Sequence, residues 1–148
     1  MNTIERLTED VKTALRQHNE KEKSVLRMVL AEMKNFQKDK NKNQPPSEEQ
    51  AQQVLIAYRA RLQKNVEAYK AAGAEDRAQA EAEEIVIVER YLPERLSPEK
   101  TRELTLAAVK STGATSAKDM GKVMKELAQY KGSMDMSQVS AMLKEILK

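Results

Sequence analysis

Ile4, Leu7, Val11 and Leu15 return at intervals of three and four. At the far end of the chain Val139, Met142, Leu143, Ile146 and Leu147 fall at i, i+3, i+4, i+7 and i+8. That period lays one apolar stripe along an α-helix and does not match the alternation of a half-buried strand. The rest of the chain supports it. Of 148 residues 33% are charged and 3% aromatic, with 4 Gly, 4 Pro and no Cys. Such a mixture favours helices and is short of the turn and strand formers that an all-β or doubly wound α/β fold needs.

Breakers divide the chain into seven helices. The first is expected from Thr3 to about Gln17, and the second from Asn19-Glu20 to about Lys40, ahead of Gln44-Pro45-Pro46. Leu26, Val29, Met33 and Phe36 line the inner side of the second, widened by Val25, Met28 and Leu30. Ser47-Glu48-Glu49-Gln50 reads as a capping box opening a third helix that Gly73 closes. Glu75 starts a fourth. Its Ile85-Val86-Ile87-Val88 run favours a strand in isolation, but it follows strongly helical Ala78–Glu84 and has no partner strand, so a helix to Tyr91-Leu92 is expected. After Pro93 the chain restarts with Ser97-Pro98-Glu99, an N-cap followed by proline at the first helical position. The fifth helix stops at Gly113, and the sixth is expected from about Lys118 to Tyr130. Asp135 or Ser137 opens the seventh. Four helices over residues 1–93 and three over 94–148 follow, the second group being small for a unit that folds alone.

Several function classes are excluded or weakened. Without cysteine there is no disulfide, no thiol nucleophile and no Cys-ligated metal. His18, the single histidine, is expected to meet the free carbonyls at the end of the first helix rather than to do acid–base work. There is no phosphate-binding glycine loop and no nucleophile elbow. Glu81 and Glu84 share a helix face but lack a histidine beside them, so a solvated face is expected there and no metal or cofactor. The methionines at 28, 33, 120, 124 and 142 sit at core positions. Met1-Asn2-Thr3-Ile4-Glu5-Arg6 lacks a secretory pattern and no run approaches a membrane span, so a soluble cytoplasmic protein is expected.

Residues 1–93 hold 16 basic against 16 acidic side chains, whereas 94–148 hold 10 against 7. The sixth helix places Lys118, Lys122, Lys125 and Gln129 within about 60°, opposite Met120, Val123 and Leu127. Lys23, Arg27, Lys34 and Lys38 form a similar stripe on the second helix, in a domain that is neutral overall. Stripes of this kind can track a phosphate backbone, and they are equally the ordinary outer faces of surface helices. Gly121 lies inside a helical pattern, where glycine costs about 1 kcal/mol relative to alanine. It is expected to admit a neighbouring helix or a ligand at close range.

Asp119-Met120-Gly121-Lys122-Val123-Met124, followed by Lys131-Gly132 and Asp135, resembles the C-terminal motif of the GatB/YqeY family. Glu84-Ile85-Val86-Ile87-Val88-Glu89-Arg90-Tyr91-Leu92-Pro93-Glu94-Arg95-Leu96-Ser97 resembles that family's interdomain segment, and Leu26-Arg27-Met28-Val29 with Glu32-Met33-Lys34 its second helix. Gly73-Ala74 stands where the family often has Gly-Arg, and Met134-Asp135-Met136 where Ala-Asp-Gly is usual. The resemblance covers the chain as a free-standing YqeY-like protein. It implies an all-α fold with an N-terminal four-helix bundle, 1–93, and a small C-terminal three-helix bundle, 94–148.

The C-terminal part is similar to the GatB tail domain of the tRNA-dependent amidotransferase, a carbon–nitrogen ligase with glutamine as amido-N donor. The resemblance therefore implies a tRNA-binding accessory module in translation. Lys118, Lys122, Lys125 and Lys131 would be its phosphate contacts, with Gly121 and Gly132 permitting close backbone approach. The catalytic parts of the amidotransferase have no counterpart in this chain, so no catalysis by the chain alone is expected. The alternative is an adaptor whose long N-terminal helices dock an aminoacyl-tRNA synthetase or amidotransferase.

Overall fold

The computed structural model describes residues 1–130 and 132–147, and every regular element among them is helical. The elements are α1 (Thr3–Arg16), α2 (Glu20–Lys40), α3 (Glu48–Ala71), α4 (Glu75–Glu89), α5 (Pro98–Thr112), α6 (Met120–Leu127) and α7 (Met136–Ile146). Single 3₁₀ turns, Ala117–Asp119 and Ala128–Tyr130, flank α6. The chain packs as two compact units, Met1–Leu92 and Pro93–Lys148. No described helix is long and apolar enough to cross a membrane.

In the first unit α1 lies along α2 and α3 along α4. Leu7, Leu26, Val29, Leu55 and Val88 are fully buried in one core, which Met33, Tyr58 and Leu62 extend. The α1–α2 turn is made without glycine. His18 takes φ 55°, its N–H donates to the Leu15 carbonyl (3.3 Å), and the Asn19 N–H reaches the Ala14 carbonyl (2.9 Å). This is a Schellman closure with histidine in the left-handed position usually given to glycine. What His18 contributes is thus a backbone conformation, while its side chain is exposed. A non-glycine residue there costs roughly 1–2 kcal/mol, part of which the extra freedom of an unfolded glycine offsets. His18→Gly is expected to stabilise the first unit by about 0.5 kcal/mol, read as a higher denaturant midpoint at unchanged slope.

Two apolar residues assigned to the core face outward. Leu15 is 51% exposed and Met28 53%. The buried side of α1 centres on Thr3, Leu7 and Ala14, and Leu15 follows Ala14 by ~100° in the last turn. Met28 is turned by the same angle from Val29, on the side away from Leu26. The Ile85–Val88 run is helical, as the flanking residues predict. Ile87 and Val88 are buried, whereas Val86 is 61% exposed because four successive helical positions cannot share one face.

Helix α4 ends at Glu89, short of the Tyr91-Leu92 expected. The N–H groups of Arg90, Tyr91 and Leu92 bond three residues back, to Ile87, Val88 and Glu89, tightening the chain before Pro93. Tyr91 is nevertheless buried. Its hydroxyl donates to the Asp10 carboxylate, and the Arg6 guanidinium lies 5.0 Å from its ring centre. Burial, reinforced by that carboxylate, pushes the phenol well above its usual range. Gln52 donates to the Tyr91 carbonyl (2.9 Å) and to the Thr3 hydroxyl (3.1 Å). Thr3 in turn donates from its hydroxyl, and from its N–H at 3.0 Å, to Glu48. These bonds hold the Glu48 carboxyl below the usual carboxylate range and join the start of α1 to the start of α3.

The second unit has its own core of Ala108, Val123, Leu127, Met134, Val139, Leu143 and Leu147. Ser97 caps α5, accepting from the Lys100 N–H at 3.1 Å, and Gly113 closes it at φ 69°. The Leu96 N–H donates to the Ser133 carbonyl (2.8 Å), pinning the entry to α5 against the α6–α7 connection. Thr105, fully buried, donates its hydroxyl to the Thr101 carbonyl one turn back (2.7 Å), so it enters the core with its polar group satisfied.

Candidate nucleic-acid interface

The expected sixth helix, Lys118 to Tyr130, is α-helical only over Met120–Leu127. Ahead of it Asp119 accepts from the Thr115 N–H (3.0 Å) and the Ser116 N–H (3.4 Å), winding that stretch into a 3₁₀ turn. The Thr115 N–H first, then the Ser116 N–H and Lys122, hold the Asp119 carboxyl below its ordinary range. Behind α6, the Ser133 and Met134 N–H groups both reach the Tyr130 carbonyl (2.8 and 2.9 Å) and fold the chain toward α7. Asp135 is the N-cap of α7, accepting from the Ser137 N–H at 3.0 Å.

This short helix sorts its side chains cleanly. Val123 and Leu127 are buried and Met120 and Met124 half-buried against the core. Lys122 and Lys125, ~60° apart, are exposed on the other side. Lys118 is exposed in the preceding 3₁₀ turn, where the ~100° step does not apply. Lys122 Nζ lies 4.0 Å from the Asp119 carboxylate, a surface pair that leaves the ammonium available. Among the described residues, Lys118 and Lys125 have no ion-pair partner. Lys131 lies outside the described residues. Gly132 is half-buried in the turn before α7.

Of the two neighbours expected for Gly121, a closely packed helix is not found, and a ligand remains the other. A Cβ built on it meets no atom within 4 Å, and the residue faces open space beside the lysines. Internal packing therefore gives no reason for glycine at this position.

The stripe expected on α2 loses one member. The Lys23 side chain is only 17% exposed and pairs with Glu20 at 2.7 Å, whereas Arg27, Lys34 and Lys38 are exposed. An open groove of about 570 Å³ between α2 and α3 is lined by Phe36, Val54 and Tyr58 together with Glu32, Asp39 and Arg61. Arg61 pairs with Glu32 (3.4 Å) and lies 5.2 Å from the Tyr58 ring centre. On α4, burial and then the neighbouring Glu81 raise the Glu84 carboxyl above its ordinary range. Among the described residues no cluster of three or more His, Asp or Glu side chains could hold a metal ion.

The exposed side of α6 is thus cationic, with Lys122 and Lys125 turned to solvent, which suits electrostatic contact with an extended anion. Comparison with curated proteins returns no match. A family model described as Yqey-like protein matches residues 4–147, nearly the whole chain and both units. The chain belongs to the Yqey-like protein family.

Proposed function

We propose that this protein is a tRNA-binding accessory module, not catalytic by itself. In this reading residues 1–93 form a four-helix bundle and residues 94–148 a three-helix bundle similar to the GatB tail domain of the amidotransferase. The observation that carries it is the outer face of α6, where Lys122 and Lys125 project opposite buried Val123 and Leu127, with Lys118 exposed just ahead. Ammonium groups fixed on a rigid helix displace counterions from a phosphate backbone and need no pocket to do so. Retardation of tRNA by the purified chain at two salt concentrations tests the proposal. A complex at low salt that dissolves steeply as salt rises is expected, and absence of a complex at low salt removes the reading.

Gly121 offers a second, independent check. Alanine here fits the space and is the better helix former, so Gly121→Ala is expected to stabilise the second unit by about 0.5 kcal/mol. If a phosphate backbone approaches the helix at this point, the same methyl lowers tRNA affinity. Melting and tRNA titration of one variant measure both effects.

Exposed Met28 and Val86 favour the adaptor as a second reading, in which the N-terminal helices dock a tRNA-charging or amidating enzyme. Loss of enzyme co-purification on Met28→Ser with Val86→Ser, with tRNA binding intact, is its expected signature.

A further inference from the structure

The outer face of α2 combines three observations. Arg27, Lys34 and Lys38 are all exposed and fall within an arc of about 40°. The other residues between 24 and 38 within about 40° of that arc are Ser24, Leu30 and Ala31, so no carboxylate interrupts the row. Three of the four acids of α2 are engaged elsewhere: Glu20 with Lys23, Glu22 with Arg90, and Glu32 with Arg61. Among the described residues, none of the three outward cations has a carboxylate partner.

Charge in this unit is balanced in sum and sorted in space. Residues 1–93 carry 16 charges of each sign, but α4 holds Glu75, Asp76, Glu81, Glu83, Glu84 and Glu89 against Arg77 alone. Neutrality over the unit therefore conceals a cationic row on one helix. At 1.5 Å rise per residue, Arg27 to Lys38 spans about 16 Å. A strand of double-stranded DNA carries one negative charge per about 3.4 Å of axis, so about five phosphates of one strand fit along such a length.

We infer that the Arg27–Lys34–Lys38 face of α2 is a second nucleic-acid contact surface, in the N-terminal unit, for the phosphodiester backbone. The inference rests on the ligand class of the tRNA reading, but on a different helix and different side chains. A lipid surface fits less well, because Leu30 packs against the core and Ser24 and Ala31 offer no large apolar side chain for insertion. Arginine in the row adds bidentate geometry toward phosphate oxygens.

The full chain is titrated with unfractionated tRNA between 0.05 and 0.3 M salt, with poly-glutamate as a competing polyanion. Arg27→Gln with Lys34→Gln and Lys38→Gln is expected to lower the slope of log K against log salt by roughly 2.1 to 2.7. At about 0.1 M salt this weakens binding roughly 250-fold. The charge-retaining set Arg27→Lys, Lys34→Arg and Lys38→Arg should bind within a few-fold of the parent, and helical circular dichroism should be unchanged in both. An unchanged slope in the glutamine set overturns the inference while the α6 reading stands. Loss of binding in that set, with Lys122→Glu and Lys125→Glu unaffected, supports the inference and removes the α6 site. Displacement of tRNA by poly-glutamate at equal charge overturns it in favour of an acidic protein partner. Absence of tRNA binding by the parent overturns both.

Discussion

Reversing two charges on α6, Lys122→Glu with Lys125→Glu, is expected to weaken tRNA binding about 40-fold at about 0.1 M salt. The figure follows from counterion release. Each phosphate contact contributes a slope of about 0.7 to 0.9 in log K against log salt, or about six-fold in affinity between 1 M and 0.1 M. Two lost contacts multiply to about 40-fold and flatten the slope by roughly 1.4 to 1.8. The fold should survive. Both side chains are exposed, the pair that Lys122 makes with Asp119 at 4.0 Å is a weak surface pair, and Val123 and Leu127 keep their places. Exposed changes of this kind stay within about 0.5 kcal/mol. Lys23→Glu makes a poor control, since Lys23 is largely covered and its loss also frees Glu20. An unchanged salt slope with intact binding would place the tRNA contact elsewhere.

Leu127→Ala is expected to unfold the second unit. Leu127 is 1% exposed and shares its core with Val123, Val139 and Leu143. Truncating a buried leucine costs about 2–5 kcal/mol, transfer and cavity together. A unit of this size has a margin of about 3–5 kcal/mol, so the loss is comparable to all of it. Hydrogen exchange should show protection lost across α5, α6 and α7 and kept in α1–α4. Uniform protection in the variant would mean that the second core is more stable than its size implies.

What could be read from residues alone was local. Ser47, Ser97, Gly73 and Gly113 each announce a helix end through their own side chain or its absence, and each sits where expected. The helical Ile85–Val88 run was also legible, because its flanks outweigh the β-branched preference. The failures share a cause: they depend on partners distant in sequence or on backbone states without a residue signature. His18 carries no glycine-like mark for its left-handed turn. Burial of Tyr91 beyond the end of α4 needs Asp10, Arg6 and Gln52 from other helices. Nor does a glycine in a helical pattern say which side it faces, and Gly121 turned out to face open space.

The candidate site divides in the same way. The exposure of Lys122 and Lys125 was legible from helical period and neighbouring apolar residues, whereas Lys118 is exposed in a 3₁₀ turn to which that period does not apply. Withdrawal of Lys23 into a pair with Glu20 was not, since the same spacing that draws a stripe also brings acids within reach of it. The value of the Arg27, Lys34 and Lys38 row depended on knowing where Glu22 and Glu32 go: Glu22 pairs with Arg90 just past α4, and Glu32 with Arg61 on α3.

The bonds from Tyr91 to Asp10, and from Gln52 to both Tyr91 and Thr3, make the first unit a ring in which the first turns of α1 meet its exit. A chain synthesised from its amino end holds α1 early but cannot close that ring until residue 92 has emerged. Until then Leu7 and the rest of the α1 apolar face lack the Tyr91-Leu92 part of their cover. The order of synthesis therefore places the Tyr91–Asp10 contact among the last of the unit that can form.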